Sequence, residues 1–69
     1  MLFSKKRYSV RAMLHGKTTH YINTVVEART KKGALKLART HFTNKYVYEL
    51  NKGVKLIMNK EPQELKEVK

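Results

Sequence analysis

Residues 8–28 read YSVRAMLHGKTTHYINTVVEA, and the alternation in this stretch decides the fold. Tyr8, Val10 and Ala12 share one parity against Ser9, Arg11 and Met13. Over residues 18–28, Ile22, Thr24, Val26 and Ala28 alternate with Tyr21, Asn23, Val25 and Glu27. Side chains on a strand point to opposite faces with a period of two, and β-branched residues suit a pleated, half-buried surface. Two strands are therefore expected, with His15-Gly16-Lys17 as the turn signal between them. A loop of odd length keeps the two apolar sets on one face. A Leu14-His15-Gly16 loop sets Ala12 against Thr18, Val10 against His20 and Tyr8 against Ile22.

Downstream, the period changes. Thr30 is placed to cap a helix with its hydroxyl. From Lys31 to about Thr43, the residues Ala34, Leu35, Leu37, Ala38, His41 and Phe42 fall in one broad sector at 100° per residue, a core-facing stripe. Lys32, Lys36, Arg39 and Thr43 fall in a separate sector. Gly33 and the lysines of the first turn disfavour the helix start, a cost that contact with phosphate would offset. Asn44 marks the expected stop.

Alternation returns in YVYEL (46–50), followed by Asn51-Lys52-Gly53 and VKLIM (54–58). A three-residue turn ending in a left-handed glycine makes this a second hairpin, pairing Leu50 with Val54, Tyr48 with Leu56 and Tyr46 with Met58. The expected class is α+β: β-β-α-β-β, one antiparallel sheet of two hairpins with a single helix on one face. Residues 1–58 form the basic domain, and 59–69 a flexible or partly helical tail in which Pro62 starts a short turn over Gln63 to Val68.

The chain is short, and cysteine is absent, which removes disulfides and thiolate zinc sites. No apolar run reaches the roughly 18 residues of a membrane span, and apolar Met1-Leu2-Phe3 precedes Lys5-Lys6-Arg7, the reverse of a signal peptide. A cytoplasmic protein without membrane contact is expected. Sixteen Lys and Arg stand against five carboxylates, for a net charge of +11. Glu61, Glu64 and Glu67 balance Lys60, Lys66 and Lys69, so residues 1–58 carry the whole excess. Such a body repels itself unless a polyanion joins it.

Catalysis is poorly supplied. Without aspartate, and with only Glu27 and Glu49 before residue 58, there is no converging acid/base pair and no carboxylate cage for a cation. His15, His20 and His41 lack ligand spacing; His20 and His41 are expected to point into the sheet–helix interface and to find backbone partners. No catalytic residue, metal or cofactor is assigned, and the protein is read as non-enzymatic.

The cations form two groups, Lys5, Lys6, Arg7 and Arg11 around the first strand, and Arg29, Lys31, Lys32, Lys36 and Arg39 along the helix. Such groups bind phosphate and confer salt-sensitive affinity, against the plainer alternative of a solvated charged face. Twelve lysines to four arginines favour point-charge contacts over bidentate base reading. The outer sheet face is expected to carry Arg7, Ser9, Arg11, Met13, Thr19, Tyr21, Asn23, Val25, Val47, Lys55 and Ile57, with Tyr21 beside Arg11 for stacking on a base. Met13, Val25, Val47 and Ile57 make an apolar patch suited to a protein contact, including a homodimer. Tyr8, Tyr46, Tyr48 and Phe42 are assigned to the core. The expected function is nucleic-acid binding of low sequence specificity, to DNA or RNA with duplex DNA favoured. The alternative is a module that occupies an acidic protein partner through the outer face.

Tyr8-Ser9-Val10-Arg11, Gly16-Lys17 and Ala28-Arg29-Thr30-Lys31-Lys32-Gly33-Ala34 together resemble the arm-type DNA-binding domain of phage and transposon integrases, over residues 8–38. Those domains set a three-stranded sheet before a helix opening with a Thr-Lys-Lys-x-Ala-like segment. The resemblance implies that Arg7, Arg11, Tyr21 and Asn23 face DNA. Here only two strands precede the helix and no recombinase domain follows in the sequence. The chain's overall character is also similar to small bacteriophage early proteins, many of which act by occupying a host protein, which implies a viral protein.

Overall fold

A computed structural model describes residues 5–65. Its elements are β1 (Lys6–His15), β2 (Thr19–Ala28), α1 (Lys31–Lys45), α2 (Val47–Asn51), β3 (Lys55–Met58) and β4 (Gln63–Leu65). The strands form one antiparallel sheet with β1 in the middle, and the α+β class in the order β-β-α-β-β holds.

The first hairpin keeps its faces but not its register. Ala12 lies opposite Ile22, Val10 opposite Thr24 and Tyr8 opposite Val26, and the loop is Gly16-Lys17-Thr18. Moving the turn by two residues extends the first strand and brings Leu14 into the core at 5% exposure instead of leaving it in a loop. The parity argument survives because both loops have three residues. Gly16 sits where the turn meets the chain before β3, and a Cβ there would lie a tight 3.1 Å from Val54 Cγ2.

Helix α1 begins as expected, with Thr30 Oγ1 accepting from the Gly33 amide at 3.0 Å. It runs through Asn44 to Lys45 and buries Ala34, Ala38 and Phe42 against Tyr8, Val10, Ala12 and Ala28. This core is narrower than the expected stripe: Leu37 is half exposed and His41 is exposed.

The second hairpin is not formed. Residues 47–51 are the one-turn helix α2, and β3 pairs with β1 through Ala12–Met58, Met13–Ile57, Leu14–Leu56 and His15–Lys55. The Tyr46 amide donates to the Phe42 carbonyl at 2.9 Å and the Leu50 amide to the Tyr46 carbonyl at 3.0 Å. The four-residue spacing Ala34, Ala38, Phe42, Tyr46, Leu50 thus carries the apolar line of α1 onward, with Tyr46 and Leu50 half buried, and outweighs the local β propensity. Gly53 does take a left-handed conformation (φ 98°), but after a helix instead of within a hairpin. Tyr48 is 65% exposed with Lys52 Nζ 4.3 Å from its ring centre, so it is not a core residue.

Within the tail, the described part of the expected helical turn is strand. In β4, Gln63, Glu64 and Leu65 pair with Ser9, Tyr8 and Arg7. β3 and β4 lie end to end on the side of β1 that β2 leaves open, separated by a bulge at Asn59–Pro62. The Asn59 amide donates to the Arg11 carbonyl, Asn59 Oδ1 accepts from the Glu61 amide at 2.8 Å, and Pro62 is buried. Residues 66–69 lie outside the described residues, as do 1–4. Among the described residues no helix is long and apolar enough to cross a membrane.

Candidate nucleic-acid interface

The sheet separates the expected cations onto two sides. Arg7 and Arg11 project from β1 away from the helix, whereas Lys32, Lys36 and Arg39 are exposed on α1, across the sheet from them. Lys5 and Lys6 are exposed at the start of β1, and Arg29 and Lys31 flank Thr30 between β2 and α1. Parallel contact of all nine groups with one phosphate track is therefore not offered by this geometry.

Carboxylates already engage three of the nine. Lys6 Nζ lies 3.6 Å from Glu64, Arg7 Nε 3.8 Å from Glu27, and Lys31 Nζ 3.9 Å from Glu61. All three pairs are exposed, and such pairs contribute about 0–1 kcal/mol each. Among the described residues, Arg11, Arg29, Lys32, Lys36 and Arg39 have no carboxylate partner within 4 Å.

On the helix side, Lys36 and Arg39 line a groove of about 600 Å³ with Lys60, over a floor that includes Leu35, Leu56 and Met58. By sequence Lys60 belongs to the charge-balanced tail 59–69. The signal for it lay in tail residues folding back on β1, which the local sequence does not display.

On the outer face, Tyr21, Met13 and Ile57 stand in one cross-strand row, with Asn23 and Arg11 in the next. Tyr21 is 84% exposed, and Arg11, Met13, Tyr21, Ile57 and Asn59 line one shallow hollow, giving the ring and the guanidinium a common surface. Val25 and Ile57 are exposed there as expected, and Met13 is half buried. Val47 is exposed too, but on α2, so it leaves the outer-face patch.

His20 and His41 are both exposed, not interface residues with backbone partners. His20 Nε2 bonds Thr18 Oγ1 at 2.9 Å, and the His41 ring meets Phe42 edge-on at 5.8 Å. Among the described residues no three His, Cys, Asp or Glu side chains gather where a metal ion would sit. No protein-family model, curated protein or solved structure matches this chain.

Proposed function

We propose that this protein is a non-enzymatic nucleic-acid-binding module that holds the phosphate backbone mainly through Lys32, Lys36 and Arg39. The observation that carries this reading is a helix face with three exposed cations and, among the described residues, no carboxylate answering them, on a body whose net charge is +11. A solvated lysine-rich helix ordinarily interleaves glutamates at i+4 for stability, and α1 has no acidic residue in its first turn. Point charges on phosphate supply affinity without sequence reading, so binding should tolerate changes of base sequence.

Duplex DNA is favoured over single strands because stacking would rest on Tyr21 alone, and the resemblance to integrase arm-type domains leans the same way. A second reading is supported by the outer-face row Tyr21–Met13–Ile57, with Tyr21 and Ile57 exposed, which suits an acidic protein partner steered in by the charge. The deciding experiment is fluorescence anisotropy with labelled duplex DNA, single-stranded DNA and structured RNA at several salt concentrations. Micromolar or tighter binding that weakens steeply with salt supports the phosphate reading. No binding at low salt overturns it and leaves the outer face as the lead.

A further inference from the structure

The two edges of the sheet are built differently. The β3–β4 edge carries the devices that keep edges from pairing with other chains: Lys55, Lys60, the bulge at Asn59–Pro62 and Pro62 itself. The β2 edge has none of them. Thr19–Ala28 is a ten-residue strand with no proline, no bulge against β1 and no lysine. In a chain with 16 Lys and Arg, residues 18–28 are the longest stretch without either. Lysine is a common edge protection, and among the described residues the ten of β2 carry none.

The hydrogen-bond pattern identifies what that edge offers. The Asn59 amide donates to the Arg11 carbonyl, so Arg11 directs its backbone groups toward β3 and β4. In an antiparallel ladder alternate residues bond to alternate sides. The residues of β2 opposite Ser9, Arg11 and Met13 are Val25, Asn23 and Tyr21, and these three therefore direct N–H and C=O away from β1, to the open edge. The Gly16 amide donating to the Thr18 carbonyl fits the same alternation.

Helix α1 adds an independent observation. It packs chiefly over β2. At 100° per residue, Leu35 and Arg39 fall to one side of the buried line Ala34–Ala38–Phe42, and Leu37 and His41 to the other. Leu35, Lys36 and Arg39 line the groove toward β3, so Leu37 and His41 overhang the open edge of β2. Leu37 is 49% exposed there, and this flank, with Gly33 and Asn44, carries no cation. The strand edge and the helix flank above it are thus both cleared of positive charge on the same side of the molecule.

We propose that the β2 edge is where a second copy of this chain pairs, antiparallel about a two-fold axis at Asn23. Asn23 is the midpoint of the cation-free stretch 18–28, so pairing there sets that whole stretch against itself. Tyr21 then lies opposite Val25 of the second copy and Thr19 opposite Glu27, with two main-chain hydrogen bonds at each outward-directed pair. The helices stand side by side on one face of the joined sheet, bringing the Leu37 flanks together. A second copy fits better than an acidic peptide, because an acidic partner would be met by lysine, and this edge has none. The protected far edge closes the assembly at two.

The test is sedimentation velocity of the full chain, without nucleic acid, at protein concentrations up to about 100 μM and at low and high salt. The expected species has twice the 8.1 kDa monomer mass. It should strengthen as salt screens the repulsion between two +11 bodies, opposite to the salt response of phosphate binding. Asn23→Lys, which sets like charges on the axis, should weaken association at least tenfold while circular dichroism stays unchanged. Leu37→Lys should weaken it less. In the unsubstituted chain, exchange of the Tyr21, Asn23 and Val25 amides should slow as concentration rises. A chain monomeric at 100 μM in high salt overturns the proposal. So does a dimer indifferent to Asn23→Lys, one sensitive to Leu37→Lys alone, or growth into filaments. Because no nucleic acid is present, failure here leaves the phosphate reading standing.

Discussion

Replacing Lys32, Lys36 and Arg39 together by glutamine removes the proposed phosphate track while leaving the helix intact, since Lys, Arg and Gln have similar helix propensities. Along the axis of α1, Lys32 to Arg39 spans about 10.5 Å at 1.5 Å per residue. One strand of a duplex presents a phosphate about every 3.4 Å of axial rise, so the three cations match about three phosphates. Each contact contributes about 0.9 to the slope of log affinity against log salt for duplex DNA, or about 0.7 for a single strand. The triple variant should therefore flatten the slope by about 2.7 on a duplex. At about 0.1 M salt the same terms amount to a loss of roughly 500-fold in affinity.

The assay is anisotropy titration at four or more salt concentrations, with Arg11→Gln and Ile57→Ser as companions on the opposite side of the sheet. Because the two sides of this layered molecule cannot share one phosphate track, the companions should change affinity less than about threefold. A triple variant that keeps wild-type affinity within twofold and the same slope would refute the reasoning. A slope that falls with Arg11→Gln instead would move the interface to the outer face.

The remaining expectations concern the fold that positions these groups. Thr30→Ala removes the oxygen that accepts from the Gly33 amide and should lower stability by about 1 kcal/mol in urea unfolding. Gly53→Ala meets no neighbouring atom within 4 Å, so its cost is the strain of φ 98° alone, about 1 kcal/mol by the same measurement. Phe42→Ala, at 1% exposure, should cost about 3–5 kcal/mol, a large share of what a domain this small possesses, and its near-native circular dichroism should collapse on mild heating. Tyr48→Ala, at 65% exposure, should stay within about 0.5 kcal/mol of the parent, whereas a strand-borne core tyrosine would behave like Phe42.

Tyr48 and Leu14 show where the sequence was legible and where it was not. The face to which each β1 and β2 residue belongs follows from parity, which survives a shift of the turn by two, so Tyr8, Val10 and Ala12 were readable as core. Leu14 was not, because register depends on which of several three-residue loops closes, and parity is the same for each. The cap at Thr30 is a contact between residues three apart, so it was readable locally. In YVYEL, alternation and the four-residue spacing from Phe42 to Tyr46 to Leu50 competed, and continuity with an existing helix outweighed local propensity. Likewise the cations on α1 were legible from helical spacing, but their separation from Arg7 and Arg11 is a property of layers, visible only once the sheet lies between them.

The same layering explains why the charge is arranged as it is. A central strand ten residues long can pair along both edges, yet β3 and β4 cover its far edge only by breaking around a buried Pro62. That break leaves Lys60 beside Lys36 and Arg39 of α1, and it makes the far edge unfit for another chain. Residues 18–28 supply the opposite margin, without cations in the strand or on the helix flank above it. Cations thus line the groove between α1 and β3, and none lies within residues 18–28. Self-repulsion of a +11 body would by itself favour spreading cations evenly. The two proposed contacts would use this distribution, phosphate on the charged side and a like chain on the cleared one, and joining two copies at β2 would set their charged margins outward at opposite ends of one sheet.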